Sequence, residues 1–279
     1  MKEFSNAVLV GERALYNSID LSVSNSVFED GESPLKECAN ILVDRCAFKW
    51  KYPLWYSSVV RVSGSTLEEG ARAAIWYTRD IEITDTVIKA PKALRRCERV
   101  RLKNVSFTDA KETLWHCNRV ELVGVSVIGD YFGMNSENIR ATDLVIEGGY
   151  AFDGARNVEI RGARINARDV FWNCENVTVY DSVIVGEYIG WNSKNVTLIN
   201  CTVESNQGFC YMNNLTLKNC TLNKTDLAFE YSTVNADIVG KIDSIKNPIS
   251  GRISADGIGE IIIDKALVDK TKTEIILKK

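Results

Sequence analysis

The residues of this chain best suited to chemistry are three carboxylates, one histidine and a row of tryptophans. Asp130, Asp169 and Glu187 stand at corresponding or adjacent places in a pattern that returns about every nineteen residues, with Asp153 between the first two. Two carboxylates flanking a glycosidic bond can divide the work of hydrolysis: one protonates the leaving oxygen while the other activates water or attacks. If each repeat advances the chain by one strand spacing, Asp130 and Asp169 have backbones roughly 9.6 Å apart. Inverting glycosidases hold their acid and base about 6.5 to 9.5 Å apart. The competing reading is that these acids are solvated members of an outer face. His116 is the only histidine in the chain, and its ordinary pKa suits a general acid or base near neutrality. It could equally be an incidental surface residue.

Five of the six tryptophans fall in one row, five residues before the first apolar position of a repeat: Trp55, Trp76, Trp115, Trp172 and Trp191. Arg95, Met134, Asp153, Cys210 and Phe229 occupy the same row, and Tyr52, Tyr131, Tyr150 and Tyr188 stand three positions earlier. A corner between this row and the next apolar row should turn the indoles outward, where large flat rings can stack on sugars. The candidate substrate-binding residues are therefore Trp76, Trp115, Tyr131, Tyr150, Trp172, Tyr188 and Trp191, with Arg95. The alternative is that the rings pack on one another or beneath a returning loop. Arg72, Arg95, Arg96 and Lys111 precede the acids along the chain, so the stripe is polarised, either to hold an acidic group or to form salt bridges between repeats.

What must position these residues is a repeat typified by Asn195-Val196-Thr197-Leu198-Ile199-Asn200-Cys201-Thr202-Val203. Its first apolar position falls at Leu21, Ile41, Val60, Ile81, Val100, Val120, Ile139, Val158, Val177, Val196 and Leu215, in steps of 19 to 21 residues. Apolar residues at the first, third and eighth places of each unit alternate as in a strand, and no helical spacing persists. The fifth place is held by Asn25, Gly64, Asp85, Asn104, Gly124, Asp143, Gly162, Asp181, Asn200 and Asn219. These types tolerate a left-handed backbone, so each unit reads as strand, tight corner, short strand and return. A chain that returns to the same place after every turn lays its strands parallel, and a parallel crossover is right-handed in nearly all cases. The fold class expected is all-β, a single-stranded right-handed parallel β-helix of about eleven or more rungs with capped ends.

The chain is expected to form one domain over 1–279: an amino-terminal cap at 1–20, regular rungs at 21–233, and irregular final turns with a charged tail at 234–279. Seven of the eight cysteines share their repeat positions with serines, Cys210 standing in the tryptophan row, so the cysteines read as small interior packing residues rather than as disulfides or zinc ligands. The asparagines before the first apolar position, Asn138, Asn157, Asn176, Asn195 and Asn214, should hydrogen-bond from rung to rung. A formal charge of -3, with acids and bases interleaved, gives no electrostatic case for nucleic acid or an anionic membrane. No apolar stretch approaches the roughly 20 residues of a membrane span. Met1 to Val10 lacks the basic region and continuous apolar run of a secretory signal, so the expected location is the cytoplasm. No residue set calls for a metal or other cofactor.

The Asn-Val-x-Leu-x-Asn-Cys-x-Val rungs resemble the pectin-lyase-like superfamily of right-handed parallel β-helices. The segments Gly11-Glu12-Arg13-Ala14-Leu15-Tyr16, Asp30-Gly31-Glu32-Ser33-Pro34-Leu35-Lys36-Glu37, Trp50-Lys51-Tyr52-Pro53-Leu54-Trp55-Tyr56 and Gly190-Trp191-Asn192-Ser193 are similar, more narrowly, to a bacterial domain-of-unknown-function family, 3737. The superfamily resemblance implies polysaccharide lyases, polygalacturonases and esterases as relatives. Their motifs Asn-Thr-Asp, Asp-Asp, Gly-His-Gly and Arg-Ile-Lys do not occur in this sequence, so no catalytic residue carries over. The function expected is binding or processing of an oligosaccharide or glycoconjugate on an external aromatic and acidic face. The alternative is a non-catalytic scaffold whose aromatic face meets another protein or its own copy, and the residues leave open whether the protein is an enzyme.

Overall fold

A computed structural model describes residues 1–278; Lys279, the end of the expected tail, lies outside the described residues. The chain divides into two compact units, Met1–Arg140 and Ala141–Lys279. Each is built from stacked parallel strands, and about 15 turns of parallel β-solenoid are formed in all.

In the first unit the long strands Ala39–Asp44, Ser58–Ser63, Arg79–Thr84, Glu98–Lys103 and Asn118–Val123 pair in parallel. Their register is the one the repeat dictates, Ile41 on Val60 on Ile81 on Val100 on Val120. Each long strand is followed by a short one on a second side, such as Ala47–Phe48 and Thr66–Leu67, and the third side carries Ile75–Trp76 paired with Leu94–Arg95. The valines and isoleucines of the repeat are buried. Each inward face is covered by its neighbours in the stack, and burying such a side chain contributes about 1.5 to 3 kcal/mol. Residues 1–20 add a further rung: Lys2–Ser5 pairs with Ile19–Ser24, and Val8–Leu9 with Val27–Phe28.

The second unit repeats the scheme. Arg156–Arg161, Glu175–Tyr180, Lys194–Ile199 and Asn213–Asn223 form the long side, Arg164–Ala167, Val183–Gly186 and Thr202–Ser205 the short one. On the third side Asp169–Val170 pairs with Tyr188–Ile189. The register shifts between Leu217 and Cys220 against Thr233–Ile238, and the last turns use Lys241–Lys246 with Gly257–Ile262 and Ser250–Ala255 with Thr273–Leu277. The apolar run Ile275-Ile276-Leu277 is thus a strand of the coil.

The corners follow from residue type. Asn25, Gly64, Asp85, Asn104, Gly124, Asp143, Gly162, Asp181, Asn200 and Asn219 all have φ between 47° and 64°, a region that costs other residues roughly 1 kcal/mol or more. The next residue closes the turn: Ser65 Oγ donates to Ser63 O at 2.7 Å, Ser182 Oγ to Tyr180 O at 2.6 Å, and Cys201 Sγ to Ile199 O at 3.3 Å. Cysteine and serine are interchangeable here because both supply one small donor, and all eight cysteines are buried free thiols. The amide ladders also form. Asn176, Asn195 and Asn214 each donate Nδ2 to the asparagine one rung back, at 2.9 Å.

Candidate functional site

In the first unit the tryptophan row is a continuous stack. The Trp55 and Trp76 rings lie 5.0 Å apart and 6° from parallel. The guanidinium of Arg95 then sits 4.6 Å from Trp76 on one side and 4.6 Å from Trp115 on the other. Its Nη2 donates to Glu112 Oε2 at 3.1 Å, and Lys92 meets the same carboxylate at 3.0 Å. Each indole N–H is satisfied by a carbonyl of the coil: Trp55 on Ala73 at 2.6 Å, Trp76 on Lys92 at 2.9 Å, Trp115 on Tyr131 at 2.6 Å. The ring of Tyr131 meets Trp115 edge-on at 6.5 Å. The indoles are half-buried, and inner members of the stack give both faces to neighbours. Arg95, read from the sequence as a ligand contact, is placed as a wedge between two rings.

His116 and Asp130, also in this unit, are exposed. What burial the imidazole has, together with the charges of Arg96 and Arg95, pushes its pKa below the ordinary histidine value. A base beside cations and away from a carboxylate is a weak acceptor of protons at neutral pH.

The second unit arranges the same row differently. Trp172 and Trp191 stack at 5.9 Å and 30°, and the stack continues through Tyr211 at 4.7 Å and Tyr231 at 5.4 Å. In the other direction the row continues into Asp153, not into a ring. Tyr150 and Tyr188 meet Trp172 edge-on at 5.7 and 6.3 Å. The face of Trp172 toward Asp153 therefore carries no stacked ring of its own row. The Asp153 carboxylate is tethered beside it by Asn173 Nδ2 at 2.9 Å.

Beneath these rings lies Asp169. Strand alternation points Val170 into the core and Asp169 away from it, yet Asp169 is only 1% exposed. Its row neighbours are Tyr188, its register partner, and Tyr150, beside the Ala151–Val170 bridge. Neither Asp169 carboxylate oxygen has a hydrogen-bond partner among the described residues, and the Trp172 Nε1 is likewise buried without one. Arg168 Nε stands 3.7 Å from Asp169 Oδ2 and 3.3 Å from Glu187 Oε2. Burial pushes the Asp169 carboxyl above the usual carboxylate range. The charges of Glu187 and Asp153 act in the same direction, while Arg168 and the Tyr150 hydroxyl oppose it. Glu187 in turn raises the Tyr188 phenol. Unpaired buried polar groups are costly, on the order of 1 to 3 kcal/mol each, so their convergence at one place marks it out within the fold.

The candidates read from the sequence thus separate by unit. Tyr150, Asp169, Trp172, Glu187, Tyr188 and Trp191 come together in the second; Trp76, Arg95, Trp115, His116, Asp130 and Tyr131 belong to the first. Two contributors went unrecognised in the sequence. Arg168 is signalled only by its place next to Asp169. Tyr211 was hidden because it stands one place after the tryptophan row, four residues before Leu215 as Tyr56 and Tyr77 stand before Val60 and Ile81, yet it, and not Cys210, is the ring that meets Trp191. Phe229, expected in the tryptophan row, stacks in the core on Phe209 at 6.0 Å. Among the described residues no group of three or more His, Cys, Asp or Glu could hold a metal ion.

The family model described as protein of unknown function (DUF3737) matches residues 2–276. The chain belongs to this family. No curated protein matches it. Among solved structures it is similar to the A-module of the mannuronan C-5 epimerase AlgE4 of Azotobacter vinelandii, at 6% identity, covering 92% of this chain and 88% of that one with a TM-score of 0.34. It is similar also to PfbA, a surface adhesin of Streptococcus pneumoniae, at 12% identity, 88% and 81% coverage and a TM-score of 0.32. A third likeness is to tailspike protein 3 of bacteriophage CBA120, at 12% identity, 92% and 54% coverage and a TM-score of 0.28. Among the described residues no helix is long and apolar enough to cross a membrane.

Proposed function

We propose that the outer face of the second unit binds carbohydrate, with Trp172, Trp191, Tyr150 and Tyr188 as the aromatic floor and Asp169 and Glu187, which Arg168 approaches, as the polar contacts. The observation that carries this reading is the break in the ladder at Asp153. It leaves one indole face without a stacked ring of its own row beside a buried carboxylate and a buried indole N–H that both lack hydrogen-bond partners among the described residues. A saccharide answers each of these: its C–H face covers the indole, a hydroxyl donates to Asp169, and a ring or hydroxyl oxygen accepts from Trp172 Nε1. Ligand sites generally combine apolar walls with a few converging polar groups in this way.

The same residues suit acid–base work. The Asp169 carboxyl holds its proton more tightly than an ordinary carboxylate, and because it and the Glu187 carboxylate both approach Arg168 Nε, at 3.7 and 3.3 Å, their nearest oxygens lie no more than about 7 Å apart, close enough to flank one glycosidic bond. Thermal-shift screening of the whole chain against neutral, amino and uronic oligosaccharides tests the binding reading. Saccharide-dependent stabilisation that disappears in Trp172→Ala and Asp169→Asn supports it; stabilisation unchanged in both, or seen with no saccharide, overturns it. Release of reducing ends by the stabilising saccharide, lost in Glu187→Gln, separates processing from binding.

A second reading, a protein-binding scaffold, is favoured by Tyr56 and Tyr77 of the first unit, which are 51% and 41% exposed and stacked at 4.8 Å. A size measurement showing an oligomer that Tyr56→Ala and Tyr77→Ala dissociate would support it.

A further inference from the structure

The saccharide face of the second unit is unbalanced in charge. Asp169 and Glu187 both approach Arg168, whose side chain is 64% exposed and no closer than 3.3 Å to either, and Asp153 is near enough for its charge to act on Asp169. We infer that the ligand of this site carries positive charge, and that its class is a saccharide bearing free amino groups, an amino-sugar oligomer, rather than a neutral or a uronic one. This inference rests on the carbohydrate reading above and sharpens it.

Four observations converge. The two Asp169 oxygens are buried and without a hydrogen-bond partner among the described residues, and an ammonium, with three donors on a compact charge, satisfies a carboxylate better than one hydroxyl can. Tyr150, Trp172 and Tyr188 surround the position with ring faces and edges 5.7 to 6.3 Å apart, and the negative face of an aromatic ring attracts a cation held against it. Arg168 approaches both carboxylates at long range, 3.7 Å from Asp169 and 3.3 Å from Glu187, with its own side chain 64% exposed; its pair with the part-exposed Glu187 is a weak surface contact, and a ligand cation can take its place. Finally, Trp172 Nε1 needs an acceptor, which the hydroxyl or ring oxygen next to an amino group supplies. An amino sugar presents donor, charge and acceptor together, whereas a polyuronate would bring like charge against three acids. The pectin-lyase-like resemblance points toward acidic polymers; the residues of this site oppose them.

Isothermal titration at low ionic strength, using the full chain, compares four probes: a glucosamine oligomer with free amino groups, the same oligomer N-acetylated, a galacturonate oligomer, and tetramethylammonium as a cation without a sugar. The amino oligomer is expected to bind at least about tenfold more tightly than its N-acetylated form, since one charge-assisted contact is worth about that factor, with no binding of the galacturonate. Asp169→Asn should lose about tenfold, and Arg168→Ala, which removes the competing cation, should tighten binding severalfold. The melting temperature of each variant establishes that it folds, and Glu187→Gln, at the half-buried acid, gives an independent loss. Equal binding of amino and N-acetylated oligomers, or preference for the galacturonate, overturns the charge inference while leaving a carbohydrate site. Binding of tetramethylammonium with no oligomer binding keeps the cation site and removes the carbohydrate reading. Absence of binding by all four overturns both.

Discussion

The aromatic ladders of the two units use the same row of the repeat and end in opposite states. In the first, Trp55, Trp76, Arg95 and Trp115 close on one another: the arginine fills the gap where a ring is missing, and each indole N–H donates to a carbonyl. In the second, the gap falls to Asp153, which is too short to cover an indole and carries the wrong charge for a second stacking partner. Below it Asp169 and Trp172 keep polar atoms without partners. An aromatic row on a β-coil is therefore not itself a binding platform. The first stack, in which Arg95 Nε is the one atom buried without a hydrogen-bond partner among the described residues, is a device for stability; the interrupted stack, with three such atoms beside an indole face that carries no ring of its own row, has more left to offer a ligand.

The strongest test of this contrast is a pair of truncations. Trp115→Ala removes a ring that holds Arg95 and a satisfied N–H, and should cost about 3 kcal/mol, as large aromatic deletions do. Trp172→Ala removes a ring with one face unstacked and a donor without a partner, and should cost roughly half as much while abolishing saccharide-dependent stabilisation. Denaturant unfolding of both variants checks this; equal costs would erase the distinction between the two rows. Next in size, Arg95→Met keeps the volume of the wedge but removes its charge, and should lose about 1 to 2 kcal/mol with saccharide binding untouched.

A smaller effect distinguishes the units by pH. Burial raises the Asp169 pKa in the folded state, so the native protein holds that proton more tightly than the unfolded chain does. The associated penalty is absent below the unfolded carboxylate pKa of about 4, and it develops as pH rises through the folded value. Asp169→Asn should therefore raise the melting temperature at neutral pH by about 2 °C and leave it unchanged at pH values below the unfolded carboxylate pKa; a variant less stable at neutral pH would mean that Arg168 and Tyr150 outweigh burial. Smallest of all, His116→Asn should change stability by less than about 0.5 kcal/mol. Its imidazole should titrate below the ordinary histidine value by NMR, and Arg96→Gln should move it back up.

The backbone of each unit was legible because its determinants are local. Val177, Val196 and Leu215 mark the inward face by spacing alone, Asp181 and Asn200 mark the corner by tolerance of a positive φ, and Cys201 in the place of Ser182 reveals a small donor rather than a redox pair. The amide ladder of Asn176, Asn195 and Asn214 was visible for the same reason. What the sequence did not disclose depends on side chains meeting between rungs. Arg95 looked like a ligand contact because nothing in its spacing says that two indoles close on it. Arg168 was overlooked because its approach to Glu187 requires the actual register. Phe229 was misplaced by a rung in which only one residue, instead of two, separates the small buried Ser232 from Val234. Residues 2–5 read as part of a cap because they precede the first clear repeat, and their backbone pairs as one more turn.

Whether only the second unit's aromatic row has a face left for a ligand can be read from the indole N–H resonances of the six tryptophans, in a protein labelled with nitrogen-15 at tryptophan and titrated with the free-amino glucosamine oligomer. The Trp172 resonance should move furthest, Trp191 less, and those of Trp55, Trp76 and Trp115 should stay where they are, with Asp169→Asn suppressing the movement. Movement of the Trp76 or Trp115 resonances with Trp172 unchanged would contradict it.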